Sequence, residues 1–154
     1  MLFYVIDKPA LLESVEEEVS HVADAAYGED GSSLYDSIVI TEKDRPAVLR
    51  FLDDAASEFV KRAFDICKYS FETATDDNGE VQLTGRVRLR LNVSDFDDTM
   101  WETAEAEISR YFVMFAAGAY LQQRKAELVP EYTRRIQEAM NKAVILLKSR
   151  KYPE

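Results

Sequence analysis

Residues 101–123 read WETAEAEISRYFVMFAAGAYLQQ, with Trp101, Ala104, Ile108 and Tyr111/Phe112 recurring at helical spacing. From Tyr111 to Leu121 the run becomes apolar on every side. A helix that is apolar all round must be covered all round. Eleven such residues are too few to span a bilayer, which takes about twenty. The stretch therefore predicts a buried central helix, and the rest of the chain must supply its cover.

Downstream, Pro130 restricts the residue before it, so the central helix is expected to end near Glu127. A last helix then starts at Pro130, with Tyr132, Ile136, Ala139/Met140, Ala143 and Leu147 on its apolar face. Upstream, Ser94 or Asp95 is the expected cap, with Asp97, Asp98 and Glu102 near the positive N-terminal end. Before that the period changes to two. Tyr69, Phe71 and Thr73 alternate with polar residues, and DDNG makes a turn. Val81, Leu83, Val87, Leu89 and Leu91 then alternate with Gln82, Thr84, Arg86, Arg88 and Arg90. A three-residue loop, Asp77-Asn78-Gly79, keeps one face apolar by pairing Tyr69 with Val87 and Phe71 with Gly85. Leu89 and Leu91 extend beyond that short partner and are free to pair with Leu2–Ile6, giving a three-stranded sheet.

Leu2-Phe3-Tyr4-Val5-Ile6 reads as a short strand, followed by Asp7 as N-cap and Pro9 in a first helical turn. Leu11/Leu12, Val15, Val19, Val22 and Ala26 form the inner face of that first helix, and Gly28 is its expected stop. GEDGSS (28–33) is a surface loop, and Ser37–Ile40 reads as a short strand or an extended lead-in. Thr41 with Asp44 signals another helix start, and Val48, Leu52, Ala55/Ala56, Phe59, Ala63 and Ile66 carry that helix to Cys67 or Lys68. The expected fold is α+β and mainly α, one domain over 1–154. It is an antiparallel helical bundle around a buried central helix, with a β-hairpin and an N-terminal strand forming a small sheet.

Composition narrows the classes. A chain of 154 residues that is 47% hydrophobic and 31% charged suits a globular domain with its own core. MLFYVIDKPALLE lacks the basic leader and cleavage site of a signal peptide. One cysteine, Cys67, excludes an intramolecular disulfide and a cysteine metal cluster. The net charge of −10 is uneven: −7 over residues 1–35, −7 over 36–121 and +4 over 122–154. Such segregation suits contact between copies, and equally suits solvated helix faces.

No residue set points to catalysis. His21, the single histidine, lies among Glu17, Glu18 and Asp24, where helical spacing offers too few ligands to hold a metal. No nucleophile elbow and no phosphate-binding loop with lysine occurs. Asp95, Asp97 and Asp98 lack calcium-loop spacing, and capping accounts for them. No cofactor is expected. Alternation places Arg86, Arg88 and Arg90 on one strand face, suited to carboxylates of a neighbouring subunit or to phosphates. The acidic net charge makes nucleic acid the weaker partner, and a solvated face is the plain alternative. Ala116-Ala117-Gly118-Ala119 permits another helix to approach closely.

Taken in order, LFYVI, TEKDR opening a long helix, a hairpin ending VRLRLNVSDFDD, the ISRYFVMFAAGAYLQQR helix and the final EYTRRIQEAMNKAVILLKSRKYP resemble the small head–tail connector or tail-completion (neck) proteins of tailed bacteriophages. The resemblance covers nearly the whole chain and is one of pattern, with no catalytic set to carry over. It implies a non-enzymatic virion protein that forms a homo-oligomeric ring, meets portal or adjacent tail proteins, and resides in the host bacterial cytoplasm during assembly. No membrane partner is expected, and nucleic acid only as DNA passing through a ring lumen. Leu2, Tyr4, Ile6, Arg86, Arg88, Arg90, Arg150 and Lys151 are the candidate subunit contacts. Two other classes compete: an acidic adaptor or inhibitor that binds a basic host or mobile-element protein, and a small enzyme built on His21 or Asp95–Asp98.

Overall fold

The computed structural model describes residues 2–75, 77–79 and 81–150, and their side chains except at 71–75 and 81–87. Strand β1 (Leu2–Val5) leads into helix α1 (Lys8–Asp24), a short α2 (Tyr35–Ile38) and α3 (Arg45–Arg62). The hairpin β2 (Cys67–Thr75) and β3 (Val81–Leu91) follows, then α4 (Trp101–Leu121) and α5 (Val129–Leu147). The fold is the expected mainly helical α+β arrangement.

Helix α4 lies among α1, α3 and α5. Its Tyr111, Phe112, Ala116, Ala117, Tyr120 and Leu121 are buried. Coverage is not complete: Val113, Met114, Phe115 and Ala119 are only half-buried. An aromatic cluster ties the layers together. Phe112 stacks on Tyr4 of the sheet at 5.6 Å, and Phe59 of α3 meets Tyr111 edge-on at 5.6 Å. Gly118 marks the tightest approach, since a Cβ there would sit 3.1 Å from Tyr132 Cβ of α5. The small-residue cluster thus serves packing inside the protomer. Among the described residues, no helix is long and apolar enough to cross a membrane.

The local signals explain most element starts. Asp7 Oδ1 accepts from Ala10 N at 3.2 Å and caps α1. Asp44 Oδ2 accepts from both Thr41 N and Thr41 Oγ1 at 2.9 Å, a capping box that opens α3 through a 3₁₀ turn. Asp97, rather than Ser94 or Asp95, caps the 3₁₀ turn leading into α4 and accepts from Thr99 N at 3.1 Å.

Several boundaries differ from the sequence expectation. Helix α1 stops at Asp24, before Gly28. The segment before α3 forms no strand: the short helix α2 takes Ser37 and Ile38, and an extended lead-in follows only from Val39 to Thr41. Helix α3 ends at Arg62, because Ala63–Ile66 turn and Cys67 already pairs with Leu91. Ile66 and Cys67 still reach the core, but through the turn and strand, and Phe64 is thrown outward with 75% exposure. Helix α4 ends at Leu121, where Lys125 N returns to Leu121 O at 2.7 Å.

The sheet order is β1-β3-β2, all antiparallel. Leu2 pairs with Leu91 and Tyr4 with Leu89, so the N-terminal strand does join β3, but Leu89 and Leu91 do not extend beyond the hairpin partner, since they also pair with Tyr69 and Cys67. Near the turn the hairpin follows the expected register, with Thr73 opposite Leu83, and Gly79 takes φ +80°. Between Phe71 and Thr73 the register shifts, so Tyr69 faces Leu89 instead of Val87 and Phe71 faces Val87 instead of Gly85. The shift is two residues, an even step that leaves Tyr69 and Leu89 on the face their alternation predicts.

Candidate interaction surface

Alternation along the sheet decides which side chains meet the core. Tyr4, Cys67, Leu89 and Leu91 turn inward and are buried. Phe3, Val5, Lys68, Ser70, Arg88 and Arg90 belong to the opposite face by the same pairing. Cross-strand partners place Phe3 and Lys68 on either side of Arg90, and Val5 and Ser70 on either side of Arg88. Val5 is 51% exposed, and Lys68 and Arg90 are exposed as well.

Arg88 is held in place. Its guanidinium lies over the Phe3 ring, 4.6 Å from the centroid, and its Nε is buried with no hydrogen-bond partner among the described residues. A buried donor left unmet costs about 1–3 kcal/mol, and the cation–π contact returns roughly 0.5–2 kcal/mol of it. Among the described residues, no ion pair joins Lys68, Arg88 or Arg90 to a carboxylate. Arginines elsewhere behave differently: Arg45 of α3 reaches Glu16 at 2.8 Å, Arg135 of α5 reaches Glu131 at 2.7 Å, and Arg124 in the turn after α4 reaches Asp44 at 3.3 Å.

The sheet is also open at both edges. Among the described residues, no further strand pairs with β1 or β2 on its outer side. Beyond Val5 the sheet narrows to two strands, since β1 pairs only with Arg88–Leu91 of the longer β3. A cavity of about 330 Å³ runs beside β1, lined by Phe3, Val5, Leu11 and Val113 with Asp7 and Glu105.

The predicted contact residues separate on this geometry. Arg88 and Arg90 do share the outer face. Tyr4 and Ile6 are 3% and 7% exposed, so their side chains belong to the core and are not offered to a neighbouring subunit; Leu2 is half-buried. Phe3 and Val5 take their place, because successive side chains of a strand point to opposite faces. Lys68 was missed because α3 was expected to run through it. Arg150 is exposed, bridging Phe96 through the backbone and lining a cleft with Asn92 and Lys148. The Arg86 side chain and Lys151 lie outside the described residues.

The residues weighed for chemistry have structural surroundings. His21 is exposed on α1, with its Nε2 3.9 Å from Glu17. Cys67 is buried, and burial pushes its thiol up to about 12. Among the described residues, no group of three or more histidine, cysteine or acidic side chains is placed to hold a metal ion. Two tyrosine–carboxylate–arginine groups, not foreseen in the sequence, tie helices together. Tyr132 Oη donates to Glu18 at 2.8 Å beside Arg135, and Tyr120 Oη lies 3.2 Å from Asp44 beside Arg124. Burial, then the Glu18 carboxylate, raises the Tyr132 hydroxyl far above its ordinary range.

Comparison of the chain with known protein families, with curated proteins and with solved structures finds no match in any of the three.

Proposed function

We propose that this chain is a non-enzymatic structural subunit of a tailed-phage head–tail connector or tail-completion assembly, joining identical copies into a ring. The observation that carries self-assembly is the unfinished sheet. Its two open edges belong to different strands, β1 and β2. An open edge presents unpaired backbone donors and acceptors that favour addition of another strand. Strand β1, Leu-Phe-Tyr-Val, carries none of the charges or prolines that usually discourage such addition. Because the edges are unlike, joining one to the other is head-to-tail, and head-to-tail contacts close into rings when the rotation permits. The phage assignment rests on the pattern resemblance described above, and the mainly helical fold with its small sheet accommodates that pattern.

Molar mass by light scattering across a concentration series tests the proposal. The expected result is a closed oligomer of fixed subunit number, formed by the chain alone or on a portal ring. A chain that stays monomeric at high concentration, both alone and with portal, refutes it.

A further inference from the structure

We infer that the outer face of the sheet receives the acidic outward stripe of α1 from a second copy of this chain, an inference that rests on the self-assembly reading above. Two self-repelling patches of opposite sign stand on one protomer. On the sheet, Lys68 faces Arg90 directly across the strands, with Arg88 two residues along β3. Like charges in directly opposed positions destabilise a sheet. Among the described residues, the Nε of Arg88 has no acceptor.

On α1, Glu16 and Glu18 are committed to Arg45 and Arg135. That leaves Glu13, Glu17 and Asp24 exposed on one outward stripe, where among the described residues His21 alone forms an ion pair, 3.9 Å from Glu17. Glu13 and Glu17, four apart on a helix, repel each other with Cβ atoms about 6 Å apart. Arg88 and Arg90, two apart on a strand, stand about 7 Å from each other. The two spacings match well enough for consecutive carboxylates to meet consecutive guanidinium groups, which bind them with two parallel hydrogen bonds each.

Among the other exposed acids, Asp98 and Glu102 lie in the first turns leading into α4, where the helix dipole already offsets them, and Glu127 and Glu131 are paired with Lys125 and Arg135. Glu13 and Glu17 sit mid-helix without that relief. A nucleic-acid backbone is disfavoured by the chain's net charge of −10. A contact from the sheet of one copy to α1 of the next is again head-to-tail, in keeping with a ring.

Sedimentation velocity of the full chain, at low and high salt, tests this with two variants, Arg88→Glu/Arg90→Glu and Glu13→Lys/Glu17→Lys. The expected wild-type assembly weakens as salt screens the contact. Each variant alone associates at least about tenfold more weakly. An equimolar mixture assembles again, because each reversed surface now meets an opposite charge on the other variant. Variants that assemble like wild type, or a mixture that stays dissociated, overturn the inference while leaving self-assembly standing. A wild-type chain that never assembles overturns both. Unchanged assembly with loss of duplex-DNA binding in the arginine variant overturns it in favour of nucleic acid. Circular dichroism checks folding. If Arg88→Glu/Arg90→Glu unfolds, Lys68→Glu/Arg90→Glu, which changes exposed positions only, carries the same expectations.

Discussion

Replacing Gly118 by alanine sets two effects of similar size against each other. At an unencumbered helix position the change stabilises by about 1 kcal/mol, because alanine loses less backbone freedom on folding. Here the new Cβ would stand 3.1 Å from Tyr132 Cβ, 3.6 Å from its Cγ and 3.7 Å from Ile136 Cδ1. A comfortable carbon–carbon contact is about 3.5–4.0 Å. Tyr132 Cβ has no rotamer by which to retreat, so α5 itself must move away from α4 by roughly 0.4 Å to restore that contact. Such a shift also disturbs the 2.8 Å hydrogen bond from Tyr132 Oη to Glu18 on α1. Overpacking of this kind costs about 1–3 kcal/mol, so the expected net effect of Gly118→Ala is a destabilisation of about 1 kcal/mol. In a chain of this size that lowers Tm by about 2–4 °C. Gly118→Leu should cost about 3 kcal/mol or more. Urea unfolding with a constant slope measures both. A stabilisation of the full ~1 kcal/mol by alanine, together with tolerance of leucine, would refute the close approach of the two helices.

Burial separates two phenylalanines that look alike in the sequence. Phe112→Ala, at a fully buried position packed on Tyr4 and Phe59, should cost about 3–5 kcal/mol. Phe64→Ala, at 75% exposure, should stay within about 0.5 kcal/mol by the same denaturation measurement. Asp44→Ala removes the capping box and the anchor for Tyr120 and Arg124, and should cost about 1–2 kcal/mol. The hydrogen bond from the Thr41 backbone, with Thr41 Oγ1, Arg124 and Tyr120, holds the Asp44 carboxyl below its ordinary value. A lowered folded pKa means that this stabilisation is complete above the ordinary aspartate range and is lost as pH falls through the folded value. The wild-type advantage over Asp44→Ala should therefore be flat above about pH 5 and shrink below about pH 4. Cys67, with its thiol pushed up to about 12 by burial, should resist a thiol reagent at pH 8 in the folded chain and react fully in denaturant; prompt reaction in the folded state would contradict its placement.

The candidate surface shows how far local pattern reaches. Alternation alone places Arg88 and Arg90 on one face, since a strand's side-chain period is two wherever its register falls. The same rule separates Tyr4 from Phe3 and Val5, yet an all-apolar run offers no polar residue to mark which side faces out. Lys68 joined the face only because Cys67 pairs with Leu91. In the sequence, the α3 stripe continues smoothly through Ile66, and a helical continuation is locally as good.

By itself the sequence determined the types of the long elements, though not of α2, the core stripes of α1, α3 and α5, the caps at Asp7 and Thr41/Asp44, the left-handed turn at Gly79, and the need to bury α4. These follow from periodicity and from backbone chemistry within a few residues. Only the tertiary structure decided where α3 yields to β2 and that Gly118 faces Tyr132. It alone decided that the arginine face has Phe3 beneath Arg88 and no carboxylate partner among the described residues. Each of those depends on which distant segment arrives to satisfy a hydrogen bond, a surface or a charge, and no local pattern encodes that choice.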